Sequence, residues 1–347
     1  MKQHPRAMIA MSGGVDSSVA AYLTMQEGFD CIGATMRLLD STGQDIHDAQ
    51  AVAQGLGMPF YVFDMTKSFQ EAVMTPFAEA YEQGLTPNPC ILCNRHLKFG
   101  ALLEQAIALG CGYVVTGHYA RIQSGERYQL YKAVDSAKDQ SYFLYTLTQE
   151  LLAHIRFPLG ELTKEQARQV AQAQGFLNAR KRDSQDICFV PNGDYVSFLR
   201  QYTGKNYPCG NFLDQNGNMV GQHQGAIAYT LGQRKGLGLA MGQPVYVCGK
   251  DMCANTVTVG PNEALFQKNL LAKDWNWISI PEPAAPMRAM AKTRSRMTEQ
   301  PATIYPEGEG IARIEFDQPQ RAITPGQAVV LYQEDMVLGG GTITKVL

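Results

Sequence analysis

Short apolar runs at residues 7–11, 31–36, 60–63 and 113–116 are separated by longer stretches in which apolar positions recur every three or four residues. Brief continuous runs are the signature of strands buried on both faces, and the longer period is that of amphipathic helices. The pattern predicts strands at those four runs and helices over 19–27, 46–56, 69–83 and 95–109, with a loop at 84–89. Helical patterns at 149–155 and 163–174 follow, the second opened by Thr163 and Gln166 in capping-box spacing. Strand and helix in alternation imply a parallel sheet covered on both faces, with its ligand at the carboxyl ends of the strands. The helical layer reaches about residue 200.

Beyond Thr203 the pattern changes to short β-branched or aromatic runs divided by Pro and Gly. Asn216-Gly217, between runs at 211–213 and 219–220, is a hairpin signal. A Pro-rich joint at 281–286 lies in a second short-strand region, which ends in runs at 328–332 and 339–346. The expected architecture is α/β: a parallel-sheet domain over residues 1–203, a central β-rich domain over 204–270, and a C-terminal β-barrel domain over 271–347.

The first strand runs into Ser12-Gly13-Gly14-Val15-Asp16-Ser17-Ser18, directly ahead of a helical pattern. Paired glycines let backbone N–H groups approach an anion, and a helix N-terminus adds its positive dipole end. Phosphate is the natural guest, with hydroxyl donors at Ser12, Ser17 and Ser18 and with Asp16 placed to hold a divalent cation. The loop contains no Lys, so the Walker arrangement is not met, and kinase or GTPase chemistry is disfavoured. The loop resembles the pyrophosphatase (PP) loop of enzymes that cut ATP between the α and β phosphates and adenylate a carbonyl oxygen.

With 347 residues, 45% of them hydrophobic, the chain can build two or three cores. No apolar run approaches the ~20 residues that span a bilayer, which predicts a cytoplasmic protein without a membrane partner. A net charge of −2 gives no global nucleic-acid signal, so RNA binding would use local patches such as Arg180–Arg182, Arg234-Lys235 or Lys292–Arg296.

Eight cysteines scattered over this length suit reduced thiols. Cys90 and Cys93 stand in C-x-x-C spacing before a predicted helix, where dipole and free N–H groups favour thiolate; Cys188 follows the basic Arg180–Arg182 run, which acts in the same direction. Cys31, Cys111, Cys248 and Cys253 read as small buried hydrophobes, and Cys209 has no evident role. One C-x-x-C is too little for a four-Cys zinc module, whereas Cys90, Cys93 and Cys188 together suit an iron–sulfur cluster with one open iron.

Six motifs occur in one order: the Ser12 loop, the Cys90/Cys93 pair followed by Asn94, Thr116–Arg121, Lys138–Tyr142, Asp183–Phe189 and Tyr229–Gly238. Together they resemble the bacterial tRNA-specific 2-thiouridylases over nearly the whole chain. The resemblance implies a tRNA-uridine 2-sulfurtransferase that uses ATP with Mg²⁺ to adenylate the C2 carbonyl oxygen of the wobble uridine, in tRNAs for Lys, Glu and Gln, and replaces that oxygen with sulfur. It implies catalytic roles for Cys93, the nucleophile, and Cys188, the persulfide carrier, with a disulfide closing between them, and a sulfur-donor protein or sulfide as partner. It places Ala10, Met11, Ser12, Gly13, Gly14, Val15, Asp16, Ser17, Met36 and Gly117 at ATP. It places Asn88, Pro89 and Cys90 at the target base, with Lys138, Asp139, Gln140, His118, Arg294, Ser295 and Gln327 at tRNA. Many members carry Asp at the position of Cys90, so a carboxylate base is excluded here, and a cluster and a persulfide–disulfide route compete for the same thiols. Other classes open to the sequence are a PP-loop amidating ligase, which needs no reactive cysteine, and a metal-bearing RNA-binding module.

Overall fold

The apolar run after Pro5 becomes β1 (Arg6–Ala10), followed by α1 (Val15–Gln26), β2 (Asp30–Arg37), α2 (Gly43–Gly55) and β3 (Phe60–Asp64) in a computed structural model that describes residues 4–40, 43–181 and 186–347. A long helical stretch passes through α3 (Thr66–Phe69), a π-helical turn Gln70–Met74 and α4 (Thr75–Glu82). A second runs through α5 (Pro89–Leu92), a π-helical segment Cys93–Ala101 and α6 (Leu102–Ala108) into β4 (Tyr113–Val115). The hairpin β5 (Ala120–Gln123) and β6 (Gln129–Lys132) comes next, then α7 (Gln149–Leu152), β7 (Ile155–Arg156), α8 (Lys164–Ala173) and α9 (Tyr195–Thr203).

The first sheet is wholly parallel in the order β3-β2-β1-β4-β7. Side chains of β1 alternate between its faces: Met8 joins Ile32, Phe69, Phe77 and Leu102 on one side, while Ala7 and Ile9 join Ala20, Ala49 and Val52 on the other. Connections leave β1 toward β2 and return to place β4 on its opposite flank. Such a switch in strand order opens a crevice at the carboxyl ends of β1 and β4.

The β-rich half contains β8 (Gly210–Leu213), β9 (Met219–His223), β10 (Tyr246–Asp251) and β11 (Thr256–Gly260), paired in the order β10-β11-β8-β9. β8 and β9 form the expected antiparallel hairpin around Asn216-Gly217. β12 (Phe266–Trp277), β13 (Met287–Lys292), β14 (Gln300–Gly308), β15 (Ile311–Arg321), β16 (Ala328–Gln333) and β17 (Met336–Val346) close into a six-stranded barrel through pairing of β12 with β17. β12 spans the division placed at residue 270 by the sequence pattern, so the barrel takes its first strand from Phe266 onward.

Three local outcomes differ from the sequence pattern. Helix α1 begins at Val15, capped by Gly14, so Asp16, Ser17 and Ser18 belong to its first turn and not to a loop. The helix expected at 95–109 begins at Pro89, because Asn88 accepts from Cys90 N at 3.2 Å and Pro89 supplies a preset first turn. The β5–β6 hairpin was absent from the pattern, since each strand is four residues with a single fully buried side chain, Ala120 or Leu130. β6 pairs with β17, so this hairpin extends the barrel sheet and ties it to the parallel-sheet domain.

Phe77 is fully buried, with ring centroids of Tyr81, Phe189 and Phe198 at 4.9, 5.1 and 5.9 Å. Removing that ring is a large-to-small change in a close-packed cluster. Phe77→Ala is expected to destabilise the protein by ~3–5 kcal/mol, measured as a shift in the denaturant midpoint at unchanged slope.

Candidate active site

The loop from Ser12 to Gly14 is held from three directions. Gly13 has φ +70° and lies against the carbonyl oxygen of Asp45 so closely that any Cβ would collide with it. Asn178 donates to Gly13 O at 3.1 Å and to Ser18 Oγ at 2.9 Å. Lys181 Nζ reaches Gly13 O at 3.3 Å while pairing with Asp45 at 2.8 Å and Asp48 at 2.7 Å. The Ser17 and Ser18 hydroxyls each donate to Gly14 O at 3.0 Å, and Ser17 Oγ also accepts from Ser12 N at 3.2 Å. Both serines are buried, so they brace the turn, and the exposed Ser12 is left as the loop's outward-facing hydroxyl.

Asp16 is not free to take a cation. Lys164 Nζ donates to both its oxygens at 2.8 Å, and Tyr119 OH donates to Oδ1 at 2.9 Å. The charge that this loop lacks in sequence thus arrives from a helix 148 residues downstream. The loop therefore does not fit a protein-held Mg²⁺; a metal arriving with a nucleotide would be carried by the phosphates as part of the substrate.

Ala10 ends β1 and Met36 is the penultimate residue of β2, both at the carboxyl ends of their strands, beside the switch-point crevice. Gly117 closes its other wall: a Cβ there would lie 2.7 Å from Asp16 C and 2.8 Å from Ser17 N, so only glycine lets the end of β4 approach the start of α1. His118 follows, 7% exposed, with the Phe99 and Phe157 rings at 5.8 and 5.7 Å. Its Nδ1 lies 2.6 Å from Thr116 Oγ1 and its Nε2 lies 3.4 Å from Lys98 Nζ. An ammonium only donates, so Nε2 accepts and Nδ1 carries the proton toward Thr116. Burial, assisted by the Lys98 charge, holds the His118 pKa well below 6.5. In this arrangement the ring is a neutral internal bridge between Thr116 and Lys98.

A sign follows for stability. Above pH 6.5 neither folded nor unfolded His118 is charged; as pH falls below 6.5 the unfolded ring takes a proton that the folded one refuses. Its contribution is lost on acidification from 6.5 toward the folded value, at ~1.4 kcal/mol per pH unit for one proton. His118→Gln is expected to flatten the fall in unfolding free energy between pH 6.5 and 5 by about one proton, measured by denaturant titration at each pH.

The thiols gather around Lys98. Cys90 lies in the first turn of α5, and Cys93 stands where the α-helix becomes π-helical. With about 4.4 residues per turn in a π-helix, Lys98, five residues on, returns toward the face of Cys93. Cys188 comes from a separate turn closed by Val190 N to Ile187 O at 2.9 Å, and electrostatically it senses both Cys93 and Cys90, as well as Lys98. The flanking positions 182–185, which include Arg182 and the first three residues of the Asp183–Phe189 motif, lie outside the described residues.

Thiolate character, expected from the helix terminus and the basic run, is not what the environment favours. Burial pushes the Cys188 thiol up to about 11 and raises Cys90 and Cys93 as well, with Lys98 opposing in all three. Cys90 and Cys188 keep exposed surface, yet the protein packed around them outweighs one cation. All eight cysteines are free. Among the described residues no three His, Cys, Asp or Glu side chains stand close enough to hold a metal ion. Cys90, Cys93 and Cys188, expected as a three-thiolate cluster site, sense one another electrostatically but do not stand in ligand spacing in this arrangement. Of the cysteines read as buried hydrophobes, Cys31 and Cys111 are buried, Cys248 is half-buried and Cys253 is exposed.

The residues assigned to tRNA by resemblance fall into two groups. Asp139 accepts from Ala133 N at 3.1 Å and Ser141 Oγ at 2.8 Å, and Gln140 Oε1 accepts from Tyr119 N at 3.1 Å, so both shape the turn that also carries Lys138. Arg294 Nη2 lies 2.9 Å from Ala322 O, 2.7 Å from Thr324 Oγ1 and 3.3 Å from Leu231 O, with Ser295 half-buried beside it. Gln327 Nε2 donates to Thr86 O at 2.7 Å, in the strap ahead of Asn88. Lys98, Lys164 and Asn178 went unread in the sequence. Lone polar residues in helices carry no signal until the fold sets them beside the loop or the thiols; Lys181 had surfaced only as part of a basic run.

No helix among the described residues is long and apolar enough to cross a membrane. Residues 5–192 match the family model of a tRNA methyl transferase HUP domain, 196–261 that of a tRNA methyl transferase PRC-barrel domain, and 267–343 that of an aminomethyltransferase β-barrel domain. The chain is 45% identical to tRNA-specific 2-thiouridylase MnmA of Clostridioides difficile (strain 630), covering 100% of both chains. It is 48% identical to tRNA-specific 2-thiouridylase MnmA of Symbiobacterium thermophilum over 99% of this chain and 93% of that one. Against the protein of the same name from Acetivibrio thermocellus it is 46% identical, over 97% and 99%.

Proposed function

The chain belongs to the tRNA-specific 2-thiouridylase family, and from that premise we propose that it uses ATP to replace the C2 oxygen of a tRNA wobble uridine with sulfur. The observation that carries this reading is the direct linkage of two chemistries. The phosphate loop touches Gly117, His118 follows it, and His118 contacts Lys98, around which the three thiols gather. A carbonyl activated at the loop would find its sulfur nucleophile in the same crevice.

In this reading the uridine C2 oxygen attacks the α-phosphorus of MgATP and pyrophosphate leaves. A donor has by then loaded Cys188 with a sulfane sulfur. The Cys93 thiolate attacks the Cys188 sulfur, a disulfide forms between them, and hydrosulfide is released; hydrosulfide adds to C2 and AMP departs with the former C2 oxygen. A two-electron dithiol reductant reopens the disulfide before the next turnover. The high resting thiol pKa values suit this order, because an uncharged thiol is protected from oxidation until substrate changes its surroundings. Lys98 stands where a forming thiolate or hydrosulfide would need a counter-charge. Lys164 neutralises Asp16 beside the loop, and Lys181 is shared between Gly13 O and the Asp45 and Asp48 carboxylates, so the loop N–H groups and the helix dipole are left to attract the phosphates.

The test is direct. Protein purified without oxygen is assayed for iron and for 2-thiouridine formed from unmodified tRNA with MgATP and either a persulfide donor or sulfide. Thiolation from persulfide by iron-free protein, with stoichiometric AMP and pyrophosphate, is the expected result. Pyrophosphate formation coupled to amide synthesis would point to the amidating ligase, and iron-dependent thiolation from sulfide to a cluster route.

A further inference from the structure

The strap of residues 83–88 joins α4 to the helix that carries Cys90 and Cys93, and it is gripped by both β-rich domains. From the barrel, Gln327 Nε2 donates to Thr86 O at 2.7 Å and Pro325 O accepts from Thr86 N at 3.0 Å, so both backbone groups of Thr86 are engaged by one barrel turn. Gly326 lies between those two contacts with φ +91°, and a Cβ on it would come within 2.8 Å of Thr86 N and 3.0 Å of Leu85 Cβ. From the central domain, Met252 approaches Gly84 so closely that a Cβ there would lie 2.9 Å from its Cγ. Arg294 secures the same barrel turn through Thr324 Oγ1 and Ala322 O, and reaches Leu231 O in the central domain.

We propose that the barrel turn 322–327 is a clasp, with Gln327 and Gly326 as positioning residues that hold the Thr86–Asn88 strap and thereby place Cys93 for sulfur transfer. The physical reason is economy of restraint. Cys93 lies in the second turn of a helical stretch that is entered through Asn88, so the strap ahead of it fixes where that first exposed turn begins. A strap tied at both polar groups of Thr86 cannot drift, whereas a free one would let Cys93 move by the ~1 Å that degrades a reacting geometry. One N–H of the Gln327 carboxamide is held by Thr86 O, which ties this side chain to the strap. The proposal rests on the thiouridylase reading for its catalytic consequence; the clasp itself is tested without that reading.

The experiment compares Gln327→Met, similar in length but without a donor, and Gly326→Ala with the parent chain. Three quantities are measured: deuterium uptake of peptides spanning 84–93, the dissociation constant for unmodified tRNA, and single-turnover thiolation at saturating tRNA. Expected are faster exchange at Thr86 and its neighbours, tRNA affinity within about twofold of the parent, and a thiolation rate lowered at least about tenfold. Unchanged exchange in a folded Gln327→Met protein overturns the clasp, whether or not the parent thiolates tRNA. Weaker tRNA binding with a parental rate at saturation would make Gln327 an RNA contact and overturn the positioning role. Gly326→Ala, strained at positive φ, can fail to fold; Gln327→Met carries the decision alone in that case.

Discussion

Cys93→Ser and Cys188→Ser are each expected to lower single-turnover 2-thiolation by ~10³-fold or more while leaving tRNA-dependent pyrophosphate release within about twofold of the parent. Serine fills almost the same space, so the half-buried Cys93 position keeps its packing and the adenylation half-reaction keeps its loop. What disappears is the capacity to exchange sulfur: a hydroxyl forms neither a persulfide nor a disulfide, and it lacks the nucleophilicity of even a small thiolate fraction. Cys90→Ser separates the routes. In the persulfide–disulfide order no bond is made to Cys90, so that variant retains activity within about tenfold, its loss being limited to changed packing beside Cys93. Mass spectrometry of digested tRNA, with pyrophosphate measured in the same reaction, reads both halves at once. Parental thiolation in Cys93→Ser would remove the sulfur relay from the mechanism.

How far the sequence carried this site depended on whether its parts are local. The phosphate loop was readable because every element of it lies within a few residues: an apolar strand, two glycines and the start of a helix. The four strands of the sheet core and the β8–β9 hairpin were readable for the same reason, each being a short-range pattern. The loop's electrostatics were not, since its cations, Lys164 and Lys181, come from the segment around α8, and neither lysine differs in sequence from a solvated surface charge. The cysteines show the limit from the other side. C-x-x-C at a helix start correctly located the thiols, but helix dipole and cation are local effects, and the burial that outweighs them is a property of the whole fold. Arg294 and Gln327 show the same limit: the resemblance marked them, and only the fold reveals that Arg294 Nη2 and Gln327 Nε2 also bond backbone carbonyls and a hydroxyl within the protein.

The second large effect is expected at Gly117, where Gly117→Ala should reduce ATP-dependent pyrophosphate release by ~10²-fold in a folded protein. The added methyl would meet Asp16 C at 2.7 Å and Ser17 N at 2.8 Å, and both are backbone atoms that cannot rotate away as a side-chain tip can. Relief requires the end of β4 to separate from the first turn of α1, the turn whose N–H groups and dipole end face the phosphates. That separation also draws Asp16 from the Lys164 and Tyr119 contacts that fix it, and shifts His118, the next residue, against Lys98. One methyl group thus disturbs both the phosphate loop and its link to the thiols. Gly112→Ala is the matched control: it precedes the same strand, and the nearest atom to its Cβ, Arg6 O, is 4.0 Å away, so it should leave pyrophosphate release unchanged. Affinity for tRNA, measured on the same preparations, should stay within about twofold of the parent in Gly112→Ala, whose added methyl meets no neighbour. Parental pyrophosphate release in Gly117→Ala would mean that phosphate is not handled where β4 meets α1, and the proposed reaction would lose its site.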